Sequence, residues 1–317
     1  MSAPNHLTDI ASLSDEDFHH ILSRSLAFRR IMDEGASPRP TLQHRLQFNL
    51  FYENSTRTNL SFEVAAKRLG AIVSVVPVAA SSVHKGESKV DTVLTLCAQG
   101  ADYLVLRATE PGTINEAIAA INADGYGTSV INAGEGALGH PTQGLLDVGT
   151  ALLALGRTPK DSLEGVTLTI CGDIAHSRVA ASAIEAFRRL GTNIRLAGPP
   201  SLLPDAAPDG VASLHNDMDE AVTGADLIMA LRVQRERMAD NESLSGDEFH
   251  TRYGINATRL AKAKPNAFVM HPGPMNRGVE IDGSLADDLS RSLIRSQVTQ
   301  GVALRMAVLE WLEERKT

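Results

Sequence analysis

FYENSTRTNLSFEVAAKRLGA, residues 51–71, sets the reading of the whole chain, because it places Ser55, Thr56, Arg57 and Thr58 where an apolar strand gives way to a helical pattern. The first N–H groups of a helix lack intrahelical partners and the macrodipole adds partial positive charge there, so such a position binds anions. A capping residue accounts for one hydroxyl. Three hydroxyls and an arginine expected on the buried side exceed what capping needs, and the group reads as a phosphate cradle. Phe62, Ala65, Ala66 and Leu69 share one helical face, with Gly70 as the stop.

Outward from this segment, short apolar runs alternate with amphipathic patterns, the signature of parallel sheets with crossover helices. One series of strand candidates is 46–51, 72–76, 103–107 and 128–132; a second is 166–171, 193–198, a weaker run at 211–214, 226–231 and 267–271. A helix opening at Pro141 and reaching about Leu155 joins the halves. The expected fold is α/β, with two doubly wound parallel-sheet domains facing an interdomain cleft. Residues 1–141 form the first domain and 142–296 the second; a C-terminal helix, 297–317, packs back on the first. No internal repeat interrupts this plan.

Polar residues fall on this map in an organised way. Ser55, Arg107, His140, Arg178, Arg232 and His271 all lie at or near the C-terminal end of a strand candidate, where open α/β sheets bind ligands. Arg107 reads either as a salt-bridge partner of Glu110 or as a bidentate clamp on phosphate and a carbonyl oxygen. His140 opens a helix with Gln143 one turn away on the same face, so both point at one small ligand. The dipole there favours a neutral imidazole that donates to a developing oxyanion. Arg232 and Gln234 lie on one side of LRVQRER, 231–237, whereas Arg235, Glu236 and Arg237 read as a solvated charge run. The loop HPGPMNRGVEID, 271–282, reads as a rigid turn or as a presenter of backbone carbonyls to an amine. SSVHKGESKVDT, 81–92, reads as a mobile loop.

Composition bounds the alternatives. With 317 residues and 43% hydrophobic content the chain buries two domain-sized cores. No apolar stretch approaches the ~20 residues that span a bilayer, and the N-terminus is too polar and acidic for a signal or transit peptide, which points to the cytoplasm. Cys97 and Cys171 cannot build a disulfide framework. A net charge of −8 argues against nucleic-acid and anionic-membrane partners, so an anion must be captured by a local basic cluster. G-x-G-x-x-G, H-E-x-x-H, the P-loop and paired C-x-x-C are missing, and S-x-x-K at Ser82–Lys85 lacks its companion motifs. No cofactor and no metal are expected.

F-Y-E-N-S-T-R-T resembles the carbamoyl-phosphate signature of the aspartate and ornithine carbamoyltransferases. S-T-R-T, K-G-E-S, Arg107, H-P-T-Q, H-S-R-V, L-R-V-Q-R-E-R and H-P-G-P-M-N-R-G-V-E-I resemble the aspartate branch in order and spacing across nearly the whole chain. The ornithine-type relatives carry an H-C-L-P loop and an S-M-G segment instead. Asn59 departs from the basic residue found there in many relatives. The resemblance implies that the amine of L-aspartate attacks carbamoyl phosphate in pyrimidine synthesis. It assigns phosphate to Ser55, Thr56, Arg57 and Thr58, the carbonyl oxygen to Thr58, Arg107 and His140, and the carbamoyl nitrogen to Gln143 and the carbonyls of Pro272 and Gly273. Arg178 and Arg232 take the aspartate carboxylates, helped by Gln234 and Lys85. It also implies a homotrimer in which Ser81 and Lys85 enter the neighbouring subunit's site. A regulatory chain or a dihydroorotase partner is left open. The rivals are an ornithine-type carbamoyltransferase, which two carboxylate-binding arginines disfavour, a silent scaffold, which would normally lose part of the phosphate set, and a Rossmann dehydrogenase, which lacks the glycine fingerprint.

Overall fold

The computed structural model describes residues 6–77, 86–233 and 245–316. Two compact units emerge, Met1–Gly149 with Thr299–Thr317, and Thr150–Val298. The first contains α1 (Asp15–Asp33), β1 (Leu46–Phe51), α2 (Thr56–Arg68), β2 (Ile72–Val76), α3 (Lys89–Ala98), β3 (Tyr103–Ala108), α4 (Thr113–Ala123) and β4 (Ser129–Glu135). The unit boundary falls within α5 (Pro141–Ala154). The second unit holds β5 (Thr167–Cys171), α6 (Arg178–Arg188), β6 (Asn193–Ala197), β7 (Val211–His215), α7 (Met218–Val222) and β8 (Leu227–Ala230). It continues with α8 (Gly246–Tyr253), α9 (Ala257–Leu260), β9 (Phe268–Met270) and α10 (Gly283–Asp287); the second boundary falls within α11 (Ile294–Glu314).

Every strand pair is parallel, as the alternation of strands and helices predicts. The first sheet has the order β2-β1-β3-β4 and the second β7-β6-β5-β8-β9. Crossover helices cover both faces of such sheets, so central strands read as continuous apolar runs. β5, interior to its sheet, is buried along its whole length, as is β4, whose outer edge the N-terminal segment covers, while β2 at the other edge is largely exposed. In the first unit Leu104 and Leu106 of β3 pack with Leu96, Ile114 and Ile121. In the second, Ile228 of β8 packs with Val222, Phe249 and Ile281. Each fully buried side chain of this size stabilises its unit by roughly 1.5–3 kcal/mol.

The order reverses beside the first strand of each sheet. β1 lies between β2 and β3, and β5 between β6 and β8, so the chain leaving β1 and β3 diverges, as does the chain leaving β5 and β8. A crevice opens at such a switch point, outside the carboxyl ends of the strands.

The C-terminal part of α11 is tied to the first unit by charge. Arg24 forks onto Glu310 at 2.6 and 3.1 Å, and Arg45 pairs with both Glu313 and Asp102. Trp311 Nε1 donates to Asp17. Arg305 is buried over the Phe62 ring and donates to Ser61 Oγ at 2.9 Å; burial pulls its guanidinium down to about 9, with the nearby Asp147 charge opposing the shift and Arg107 adding to it.

The N-terminal segment adds to the outer edge of β4. Leu7 N–H donates to Val130 O, Asn132 N–H to Leu7 O, and Val130 N–H to His6 Nδ1 at 3.0 Å. Burial, aided by Lys316, lowers the His6 pKa from 6.5 to about 4. Between those values the unfolded state takes up a proton that the folded one refuses, so this contribution to stability is full above 6.5 and is lost as pH falls towards 4. An NMR titration is expected to place the His6 midpoint near 4, with hydrogen-exchange protection of Val130 falling across the same window; a midpoint near 6.5 would refute it.

Candidate active site

Glu53 to Ser55 leave β1 at its switch point, and α2 begins immediately after them. The first backbone bond back to Ser55 O comes from Asn59 N–H, so the N–H groups of Thr56, Arg57 and Thr58 stand outside the helix ladder. Ser55 occupies the N-cap position in extended backbone but makes no side-chain capping bond. Capping alone therefore does not explain its hydroxyl. Thr58 is buried, on the face that carries Phe62, whereas Arg57 is exposed. The expectation of a buried-side Arg57 is thus corrected: only Thr58 falls in register with the apolar stripe. Asn59 has a structural partner of its own: its Oδ1 accepts from buried Asn49 Nδ2 at 2.9 Å, and Asn49 in turn accepts from Gln47.

Arg107, the fifth residue of β3, is registered against Phe51 of β1, which brings it to the same crevice. Its Nη1 donates to Ala133 O at 3.1 Å and its Nη2 pairs with Glu53 at 3.2 Å. Glu110, the partner weighed from sequence, pairs with Lys89 instead. Glu53 is a site residue that motif reading missed; it lies two positions past the partner of Arg107 in the β1–β3 register, so the sheet alignment alone reveals it.

His140 is buried at the start of α5. Its Nε2 lies 3.5 Å from Thr58 Oγ1 and its Nδ1 3.5 Å from Thr142 Oγ1. One turn on, Gln143 Nε2 donates to Asp147 Oδ1 at 2.9 Å, and Asp147 is fully buried. That bond fixes the amide orientation and leaves Oε1 to accept from an N–H of a ligand. Asp147 was readable, since residues four apart share a helix face. Ser55, Thr56, Thr58, Arg107, His140 and Gln143 thus belong to one unit, with Thr58 and His140 in direct reach.

In the second unit, Ser177 caps α6 by accepting Ala180 N–H at 3.2 Å, and Arg178 follows as a buried residue of the first turn. Asp173, fully buried, accepts from His176 Nδ1 at 2.9 Å. Arg232 follows β8 and is half-buried. Leu231 N–H donates to Cys171 O at 2.7 Å, and Gly172, at φ 119, leaves no room for a Cβ against Leu231 O. This close approach holds the segments that carry Arg178 and Arg232 side by side at the β5–β8 switch point. Pro272 and Gly273 follow β9 and are half-buried. Ser81, Lys85 and Gln234 lie outside the described residues.

Among the described residues no group of three or more His, Cys, Asp or Glu is arranged to hold a metal, and no helix is long and apolar enough to cross a membrane. Both cysteines are buried thiols; burial pushes Cys171 up to about 12 and raises Cys97. Native protein is accordingly expected to resist a neutral thiol reagent at pH 8, with labelling appearing only in denaturant; rapid native labelling of Cys171 would refute its inertness.

Residues 5–152 match the aspartate/ornithine carbamoyltransferase carbamoyl-P binding domain, and residues 164–312 the Asp/Orn binding domain. The chain is 46% identical to the aspartate carbamoyltransferase catalytic subunit of Granulibacter bethesdensis, covering 98% of this chain and 96% of that protein. It is 47% identical to that of Acidiphilium cryptum, over 97% and 96%. Aspartate transcarbamoylase from Trypanosoma cruzi in complex with N-(phosphonacetyl)-L-aspartic acid superposes with a TM-score of 0.85 at 31% identity, covering 97% of this chain and 95% of that one. The same enzyme in complex with carbamoyl phosphate and aspartate gives 0.84 at 31% identity, over 97% and 96%.

Proposed function

The chain belongs to the aspartate/ornithine carbamoyltransferase family, and from that premise we propose that it transfers the carbamoyl group of carbamoyl phosphate to the amine of L-aspartate. The observation that carries the reading is the meeting, within one unit, of the open α2 N-terminus with Thr58 and His140. Ser55, Thr56, Arg57 and Thr58 hold the phosphate through helix N–H groups, hydroxyls and one guanidinium. Thr58, Arg107 and His140 donate to the carbonyl oxygen as it gains negative charge. Gln143 accepts one carbamoyl N–H through the Oε1 that Asp147 leaves to it, and the Pro272 and Gly273 carbonyls share the other. Arg178 and Arg232 take one aspartate carboxylate each, with Gln234 and Lys85 assisting.

In the reaction the aspartate nitrogen forms a bond to the carbamoyl carbon, giving a tetrahedral intermediate. The carbon–oxygen bond to phosphate then breaks and the electron pair leaves with phosphate. The departing phosphate, which carries the electron pair of the broken bond, takes the amine proton, so no protein base is required. Catalysis rests on orientation and electrostatics. The product, N-carbamoyl-L-aspartate, belongs to pyrimidine synthesis, and we place the enzyme in the cytoplasm.

A steady-state assay with carbamoyl phosphate is expected to show turnover with aspartate and none with ornithine. Arg232→Ala is expected to raise the aspartate KM by the equivalent of about 2–5 kcal/mol while the carbamoyl-phosphate KM changes little. Aspartate kinetics unchanged in that variant would remove the second unit from the aspartate site.

We further propose a homotrimer with shared sites, each subunit lending Ser81 and Lys85 to its neighbour. Exposed aliphatics support an interface on the first unit: Leu60 and Val64 on α2 are 53% and 41% exposed, and Ile72 and Val75 on β2 are 62% and 41%. Ile72 and Val75 belong to the strand that precedes residues 81–85 in the chain, and Leu60 and Val64 to the helix that leads into it. Arg57→Ala and Lys85→Ala are each expected to be nearly inactive, and activity is expected to return when the two are dissociated, mixed and reassembled. Verified mixed trimers as inactive as their parents would show that each site is built within one chain.

A further inference from the structure

His271 ends the chain leaving β9, where motif reading groups it with the site residues, yet its ring is wholly engaged inside the loop it begins. The side chain is 1% exposed. Its Nδ1 accepts the Gly273 N–H at 2.8 Å, so the ring proton sits on Nε2, which donates to Glu280 Oε1 at 3.1 Å. Glu280 is 2% exposed, its Oε1 also accepts Asn276 N–H, and its Oε2 is buried with no hydrogen-bond partner among the described residues. A loop with two prolines and two glycines does not need two buried ionisable side chains merely to turn, and burying them carries a desolvation cost.

The peptide plane supplies the reason. Gly273 N–H and Pro272 C=O belong to one trans peptide unit, in which the two bonds point in opposite directions. Fixing the N–H against the imidazole therefore aims the Pro272 carbonyl away from the ring. An imidazole can place its proton on either nitrogen, and the Nδ1–H tautomer would repel the Gly273 N–H. Glu280 removes that ambiguity by holding the proton on Nε2.

We propose that Glu280, acting through the His271 tautomer, is a positioning residue that aims the Pro272 carbonyl and thereby lets the enzyme distinguish a carbamoyl group from an acyl group lacking an N–H. This rests on the reading of Pro272 as an acceptor for the carbamoyl nitrogen.

The test measures binding, without aspartate, of carbamoyl phosphate, acetyl phosphate, which carries a methyl in place of the amide nitrogen, and inorganic phosphate. The native enzyme is expected to prefer carbamoyl over acetyl phosphate by roughly tenfold or more. Glu280→Ala is expected to cut that preference about five- to tenfold and to leave phosphate affinity within about twofold. Glu280→Gln keeps an oxygen acceptor facing Nε2 and Asn276 and is expected to retain the preference. ¹⁵N NMR is expected to report one His271 tautomer, Nε2–H, in the native and Gln enzymes and a mixture in the Ala variant. Should Glu280→Ala fail to fold, His271→Phe, whose ring presents no acceptor to Gly273, is expected to lose the same preference. An Ala variant with native preference and a single tautomer overturns the proposal, as does a Gln variant that loses as much as Ala. A native enzyme that does not distinguish the two phosphates overturns the role of Pro272 instead, and the tautomer spectra still decide whether Glu280 governs the ring.

Discussion

Parallel pairing is the constraint on which the rest depends. Because all strands of a sheet run the same way, every one of their carboxyl ends opens on a single edge, and the order β2-β1-β3-β4 then parts the chain between β1 and β3. The Glu53–Arg107 pair joins the two segments that diverge there. In the second sheet the same reversal, between β5 and β8, is bridged by the backbone bond from Leu231 to Cys171 and by the glycine contact at Gly172. Each crevice is held by its own strand ends, so the ligand-facing groups rest on the rigid part of the unit.

Charge is organised on the same local scale. A chain of net charge −8 does not attract anions as a whole. The α2 N-terminus supplies fixed dipoles instead, and Arg107 is kept in a defined pose by Glu53 and Ala133 O. A guanidinium already oriented loses less freedom on meeting an anion. Glu53 thus keeps the cation in place at the site.

Much of this was legible in the sequence, and the gaps have physical causes. Apolar runs located the strands to within a residue or two, except that β4 extends three residues further, to Glu135, through Gly134 at φ 122. Strand-end position marked Arg107, Arg178 and Arg232, and each lies beside a switch point, because parallel topology fixes where strand ends go. Neither reading weighed for Arg107 included Glu53, since that pair depends on the β1–β3 register and not on distance along the chain. Motif reading also overestimated the burial of Arg57, one position off the stripe set by Phe62, Ala65, Ala66 and Leu69. Strand-end position marks His271 for the ligand equally well, although its ring faces Gly273 and Glu280.

The residues that escaped motif reading share one physical task. An amide reads as donor or acceptor depending on a flip, an imidazole has two tautomers, and a guanidinium offers five donors, so each is ambiguous towards a ligand until another group engages part of it. Asp147 engages the nitrogen of Gln143, Glu53 engages Nη2 of Arg107, and Glu280 engages Nε2 of His271. In all three cases a carboxylate makes the choice, and it does so from beneath the surface: Asp147 and Glu280 are buried and Glu53 is half-buried. Low dielectric strengthens such a bond and makes the wrong orientation costly, so the Gln143 amide, the Arg107 guanidinium and, through the His271 ring, the Pro272–Gly273 peptide are each held in one orientation. A motif records the atoms that meet the ligand; the carboxylates that decide which atom faces it are set by register and burial.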